Sequence, residues 1–238
     1  MIIPYVHQRS YGSILRFCLE ALYHSSNAVN VPIEVFISTS DQNTSLPILE
    51  PPESVLLHSI RAKSPYGAAF NKSFLLNRAY CYAKKNSKLL LLDADILVSP
   101  EALLQGYVDL EVYDASYLLT RLNSEAYAEY AGGCVFVTAE GYHTAGGSDE
   151  TFVNYGNEDV DLYDRLVETC KVFRANGSAG LNLLEMPHRT SAINPANRAY
   201  YERLRQQSKR EREDRRLELQ QSLNATCFDC YRKQEQSK

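Results

Sequence analysis

The stretch "KLLLLDADILVSP", residues 88–100, sets two aspartates, Asp93 and Asp95, inside an apolar run. Four leucines precede them, and Ile96, Leu97 and Val98 follow. Unbroken apolar strands of this kind belong to the buried centre of a parallel sheet. Two carboxylates cannot sit in such a strand unless it ends or opens there. Ligands of α/β sheets bind beyond the carboxyl ends of the strands. Asp93 and Asp95 stand at that end.

The neighbouring segments supply the rest of the sheet. "MIIPYV" reads as a first strand, "VPIEVFISTS" as a second and "SVLLHSIRA" as a third. "GSILRFCLEALYHSS" has helical spacing, with Ile14, Leu15, Phe17, Cys18, Leu19, Leu22 and Tyr23 on a broad apolar face. "FNKSFLLNRAYCYAKK" reads as a helix with Phe74, Leu75, Ala79 and Tyr82 on one side. Lys84 and Lys85 would lie at its C-terminal end, where cations are favoured. "AGGCVFVTAEGYHTAGG" reads as a strand and a short helix. "NEDVDLYDRLVETCKVF" reads as a helix with Val160, Tyr163, Val167 and Cys170 on one face. Strands alternating with helices predict an α/β fold, a mostly parallel central sheet flanked by helices. Residues 1–196 would form this domain and residues 197–238 a charged helical tail. From Asn197 to about Ser222 large apolar residues are few, which predicts an exposed or partner-dependent helix with a disordered end.

Composition excludes several classes. The chain has 238 residues and a formal charge of -4. No apolar run reaches the roughly 20 residues of a membrane span. The opening "MIIPYVHQRS" has no basic region before an apolar stretch. Both observations predict a cytoplasmic chain. Charge is uneven: residues 1–197 hold 14 basic and 22 acidic residues, and residues 198–216 hold 8 and 4. Nucleic acid does not suit the acidic body. The basic segment could meet anionic lipid or another subunit. Cys227 and Cys230 in "CFDC" form a lone CxxC, a weak zinc signal that reads better as incidental thiols in a frayed tail. Four N-x-S/T sequons, at Asn43, Asn71, Asn176 and Asn224, read as chance.

Two carboxylates share a site in ionised form only when a cation compensates them. A divalent, oxygen-seeking ion such as Mg²⁺ or Mn²⁺, held with substrate phosphates, is one answer at Asp93 and Asp95. A capped strand end with solvent-facing acids is the other. In "NYGNEDVDLYDRL", residues 154–166, Glu158 and Asp159 suit the first turn of a helix. An acid there, behind the flexible Tyr155-Gly156 pair, could equally serve as a general base. His188 in "EMPHRT" alone is better read as structural.

In this order, "IIPYVHQR", "FNKSFLLNRAY", "LLLLDADILVSP", "AGGCVFVTAEGYHTAGG", "NYGNEDVDLYDRL" and "MPHR" resemble the catalytic domain of the beta-1,4-galactosyltransferase family and its bacterial relatives, including chondroitin-polymerase-type enzymes. The resemblance covers about residues 1 to 190. It implies a GT-A fold and inverting transfer of a sugar from a nucleotide donor, UDP-linked, to a hydroxyl acceptor such as a glycan. It implies that Asp95 and His188 ligate Mn²⁺ or Mg²⁺, and that Asp93 holds the nucleotide sugar. Glu158 would bind the acceptor and Asp159 would deprotonate its hydroxyl. Pro4 and Tyr5 would line the nucleotide pocket, with Arg9 as a phosphate or base contact and Asp41 as a guess at a uracil contact. Phe70, Asn71 and Lys72 match the family's helix-opening Phe-Asn-Arg. The chain departs from the pattern in having no Trp: Tyr155 stands where the family's lid Trp does, and Gly156-Asn157 replaces two glycines. The family's metal-ligating Met falls opposite Glu185, with Met186 adjacent. The rival readings are a nucleotidyltransferase, for which "YVHQRSYGS" lacks a glycine-rich phosphate loop, and a catalytically silent nucleotide-sugar-binding or partner subunit.

Overall fold

The computed structural model describes residues 1–5, 11–40, 51, 53, 55–65, 67, 69–118, 120–121, 133–174, 183–186 and 193–236. Its elements run β1 (Ile2–Tyr5), α1 (Tyr11–Val29), β2 (Ile33–Thr39), β3 (Val55–Arg61), α2 (Lys72–Tyr80), β4 (Lys88–Leu92), β5 (Ile96–Val98), α3 (Pro100–Asp109), β6 (Ala115–Tyr117), β7 (Thr120–Arg121), β8 (Cys134–Thr138), α4 (Ala139–Thr144), α5 (Glu158–Thr169), β9 (Val172–Arg174), β10 (Leu183–Glu185), α6 (Pro195–Arg205) and α7 (Lys209–Gln236).

Seven strands form the main sheet in the order β3-β2-β1-β4-β8-β6-β9. The β3-β2-β1-β4 half is parallel. β8 is antiparallel to both its neighbours, and β9 is parallel to β6. Six of the seven strands therefore point the same way, and their C-terminal ends share one edge. A small sheet, β5-β10-β7, stands beyond that edge.

Alternate residues of each strand enter two cores, as the pleat requires. Ile3, Leu90, Leu92 and Phe136 face one side, where Leu15, Cys18, Leu19 and Leu22 of α1 and Leu103 of α3 cover them. Ile2, Leu89, Leu91, Val135 and Val137 face the other, under Leu76 and Ala79 of α2, Tyr142 of α4, Leu162 and Leu166 of α5, and Leu223 of α7.

The apolar run of residues 88–98 is two strands, not one. β4 ends at Leu92, and the Asp93 amide donates to the Gly133 carbonyl (2.7 Å) as the last bond toward β8. A turn closed by Ile96 N–H to Asp93 C=O (3.1 Å) then redirects the chain into the small sheet. α2 is shorter than its sequence pattern. It stops at Tyr80 with Cys81 as its C-cap, so Tyr82, Lys84 and Lys85 lie past its end and Arg78 is the basic residue of its last turn.

Two expectations need correction. The buried face of α5 is Glu158, Asp161, Leu162, Arg165 and Leu166, whereas Val167 is half exposed. Charges are buried there because they are paired. Arg165 meets Asp161 at 2.9 Å and donates to the carbonyls of Ala145 and Gly147. The described part of the tail lies against the body. α7 continues to Gln236 and lays Arg215 against Asp149 and, at 3.0 Å, Asp161. Arg216 donates to the Thr144 carbonyl (3.0 Å), and Arg212 lies 2.7 Å from Glu168. Arg212 and Arg215 thus pair with acids of the body. Cys230 is buried on α2, and the Cys81 thiol is within hydrogen-bonding reach of both Cys227 and Cys230. The Asn71 sequon is buried. Among the described residues no helix is long and apolar enough to cross a membrane.

Arg215→Ala would leave the buried Asp149 carboxylate without its cation and Asp161 with one partner fewer. Breaking a buried pair this way costs roughly 3–5 kcal/mol. Urea unfolding should show a loss of about 3 kcal/mol; a loss below about 0.5 kcal/mol would mean that α7 is not held by this pair.

Candidate active site

The cleft lies at the C-terminal edge of the main sheet, where β4 ends. Lys72, Asp93 and Asp159 line it with Leu76, Leu91, Tyr117, Gly133, Val135 and Leu162, around about 320 Å³ of space including its open mouth.

Lys72 is the first residue of α2. Asn71 before it is a buried N-cap whose Oδ1 accepts from the Phe74 amide (2.8 Å) and whose Nδ2 donates to the Glu150 carbonyl (2.7 Å). This fixes where the helix starts and sends the Lys72 ammonium into the cleft. The side chain is only 8% exposed. Its Nζ lies 2.7 Å from Asp93 Oδ1, 2.8 and 3.0 Å from the two Asp159 oxygens, and 4.0 Å from Glu158 Oε1. Burial works against the charge, but Asp159, Asp93 and Glu158 together outweigh it and raise the Lys72 pKa well above its usual value.

Asp93 is steered by Gly133. The glycine has φ +82, and a Cβ there would come within 2.6 Å of Asp93 Oδ2. Both facts require glycine. Burial, with the nearby charges of Asp159 and Asp95, pushes the Asp93 pKa up to about 8 against the opposing pull of Lys72. Glu158 and Asp159 open α5 behind a loop of left-handed residues, Asn154, Gly156 and Asn157. The Gly156 amide donates to Glu158 Oε2 (2.9 Å). Burial, then Asp159, raises the Glu158 pKa to about 7. Tyr155 is 49% exposed beside this loop. The loop is tied down on both sides. The Asn154 amide donates to the Phe70 carbonyl (2.7 Å), and the Asn194 amide donates to the Tyr155 carbonyl (2.9 Å).

Asp93, Lys72, Glu158 and Asp159, up to 87 residues apart in sequence, thus meet in one cleft. Asp95 stands at its side, and its carbonyl accepts from the Met186 amide (2.7 Å) where β10 ends. Met186, rather than Glu185, is thereby the residue brought to Asp95 across the strand pair. Pro4 and Tyr5 end β1 at the same edge, but the Tyr5 ring is buried in the α1-side core rather than open at the strand end. Arg9, Asp41 and His188 lie outside the described residues. Among the described residues no group of three or more His, Cys, Asp or Glu is arranged to hold a metal. Asp95 supplies one hard-oxygen carboxylate of the kind that Mn²⁺ or Mg²⁺ takes. Tyr117 is the cleft residue that the sequence reading missed; a three-residue strand gives no periodicity by which to find it.

Lys72→Met would leave three carboxylates facing each other without their internal cation. Because Asp93 and Asp159 keep about a third of their exposure, the loss should be about 2–3 kcal/mol, below the range for fully buried pairs. The sign with pH follows from the raised carboxylates. A carboxyl whose folded pKa is raised stabilises the fold below its unfolded pKa and loses that contribution as pH rises through the folded one. The variant should therefore be most destabilised above about pH 8 and recover toward pH 5. Thermal melts across this range check it, and a pH-independent loss would contradict the cluster.

The sequence matches the family described as the N-terminal domain of galactosyltransferase over residues 122–189. That segment carries Gly133, the Glu158-Asp159 pair and His188. No curated protein matches the sequence. Among solved structures, the chain is similar to Drosophila beta1,4-galactosyltransferase 7, as a mutant in complex with manganese, UDP-Gal and xylobiose: 14% identity, TM-score 0.57, covering 83% of this chain and 78% of that one. It is similar to S. aureus TarS in complex with UDP-GlcNAc: 13% identity, TM-score 0.64, 86% and 63% covered. It is also similar to the galactosyltransferase LgtC with donor and acceptor sugar analogs: 12% identity, TM-score 0.50, 93% and 96% covered. At these identities the likeness is one of fold. The chain thus has the GT-A fold, with a carboxylate cleft at the edge of its sheet, and its residues 122–189 match the galactosyltransferase family.

Proposed function

We propose that the chain transfers a sugar from a UDP-linked donor to a hydroxyl of a glycan acceptor, with inversion and with the help of Mn²⁺ or Mg²⁺. The observation that carries this reading is the meeting of Asp93, at the end of β4, with Glu158 and Asp159, at the start of α5, in one cleft. One side of the cleft is suited to a nucleotide sugar and the other to an incoming hydroxyl. The neighbours solved with UDP-Gal and UDP-GlcNAc support the choice of UDP.

In this reading Asp95 and His188 hold the metal, which when bound neutralises the leaving diphosphate. The chain's own residues do the rest. Asp93 holds the donor sugar near the metal site, with Phe70 and Lys72 behind it. Pro4 and Arg9 border the nucleotide at the β1 end, and the buried Tyr5 ring supports that end from the core. Asp159 takes the proton from the acceptor hydroxyl, and Glu158 binds the acceptor beside it. Tyr155 and Gly156 border the cleft mouth, where an aromatic on a turn can cover bound sugar. Lys72 holds Asp93 and Asp159 at a fixed separation, so the donor side and the acceptor side keep their register. One base and a single displacement invert the anomeric centre. The contact of Lys72 with both Asp159 oxygens also favours one rival, a binding subunit whose base is permanently engaged. Transfer assays decide between the two.

Asp95→Ala should abolish metal-dependent UDP binding in calorimetry while the melting temperature holds. Unchanged Mn²⁺-dependent affinity would remove Asp95 from the metal site.

Asp159→Asn keeps the shape of the side chain and removes its basicity. Donor and Mn²⁺ should bind almost as in the parent, while turnover falls by roughly 10²-fold or more, the usual contribution of a general base. Equal turnover in the two proteins would make Asp159 a helix-start acid only.

A further inference from the structure

We propose that Tyr117 is a specificity-determining residue whose phenol donates a hydrogen bond to a hydroxyl of the sugar entering beside Asp159. This deepens the glycosyl-transfer reading and rests on it.

Tyr117 closes β6, opposite Arg174 of β9. β6 runs in the direction of β4, so Tyr117 and Asp93 stand at the same edge of the sheet. The residue is 7% exposed and lines the cleft with Lys72, Asp93 and Asp159. Its ring packs edge-on against Tyr163, with centroids 4.9 Å apart and planes at 87°. Leu76, Leu91, Val135 and Leu162 form the apolar wall around it. A ring held this firmly has little freedom to swing its hydroxyl elsewhere.

The Tyr117 hydroxyl is buried and has no hydrogen-bond partner in the protein. Buried polar groups are almost always satisfied, and an exception calls for a cause. Buried Tyr142 and the half-buried Tyr200 and Tyr201 all have partners. Tyr142 donates to Asn77 Oδ1 (2.7 Å), and Tyr200 and Tyr201 donate to Asp149 (2.9 Å) and Asp164 (2.7 Å). Tyr23 also lacks a partner, but it lies in the α1-side core, away from the cleft. Tyr117 alone joins an orphan hydroxyl to the cleft lining among the described residues. Burial, then the Asp159 charge, holds the phenol protonated well above its usual range, so its role is that of a donor. The groups that line the cleft with it are a cation, two carboxylates and hydrocarbon. A sugar offers what fits there, an apolar ring face for the leucines and a hydroxyl oxygen for the phenol. That sugar belongs either to the donor or to the acceptor.

The test compares the parent with Tyr117→Phe, which keeps the ring and removes only the oxygen. Melting temperature, UDP affinity with Mn²⁺, the preference for UDP-hexoses over UDP, and transfer kinetics with deoxygenated sugars are measured on both. The variant should melt at the same temperature or higher and bind UDP as the parent does. If the donor sugar is read, the preference for a UDP-hexose over UDP drops roughly 10-fold; if the acceptor is read, acceptor KM rises by a similar factor. The sugar lacking the hydroxyl in question should cost the parent that factor and the variant nothing further. Equal donor preference, acceptor KM and deoxy-sugar response in the two proteins overturn the proposal while leaving glycosyl transfer intact. A parent that binds neither UDP nor any UDP-hexose overturns both.

Discussion

One ammonium group organises the functional end of this molecule. Lys72 Nζ is buried among Asp93, Asp159 and Glu158, which reach it from the end of a strand and the start of a helix. Lys72 and Glu158 are buried and would not be tolerable there alone, because an isolated buried charge is strongly disfavoured. Together they fix the distance between β4 and α5 more firmly than apolar packing would, since a carboxylate on a cation has a preferred geometry. The cluster is not balanced, however. One positive charge faces three acids, with Asp95 close enough to add to the repulsion felt by Asp93. Burial first, and the neighbouring carboxylates after it, shift Glu158 and Asp93 upward.

The backbone makes this crowding possible. Gly133 lets β8 start against the Asp93 carboxylate, where any side chain would collide with it. Gly156, at φ +117 and packed on Ile193, turns the loop so that its own amide caps Glu158. Asn157 takes a left-handed conformation at the helix start and supplies no side-chain cap, so the Asp161 amide bonds to its carbonyl as the helix begins. The acids of α5 therefore owe their position to backbone geometry before the helix and to Lys72 ahead of it.

What was legible in the sequence was what depends on near neighbours. Four leucines before an acid mark a buried strand and its end, and Glu158-Asp159 before an amphipathic run marks a helix start. The break inside "DAD" was open in the sequence, because the pairing that decides it, Asp93 with Gly133, spans 40 residues of chain. The face of α5 was misread for a related reason. Periodicity assumes that apolar residues go inward, and Asp161 and Arg165 go inward because Arg215, Asp149 and two carbonyls are waiting for them. Tyr117 sits in a strand of three residues, too short for any period. Lys72 came into view through its place in the Phe-Asn-Lys run, not through any local signal that a lysine would be buried.

The C-terminal helices change meaning in this light. A segment with 8 basic residues, read alone, invites an external anionic partner. Two of them, Arg212 and Arg215, meet the acidic body of the same chain. Arg215 spans Asp149 and Asp161, and Tyr200 of α6 donates to the same Asp149. Asp161 lies two residues beyond Asp159 on α5, so the tail holds the helix whose first turn faces the cleft. Asn194 and Asn197 complete the link by donating to the Val153 carbonyl at the base of the loop before that helix. Residues 194–216 thus brace the α5 side of the cleft from behind, as α2 braces it from the front. A change in the tail that shifts α5 would carry Asp159 with it, and if Asp159 is the base we propose, it must still meet its proton within a hydrogen-bond length.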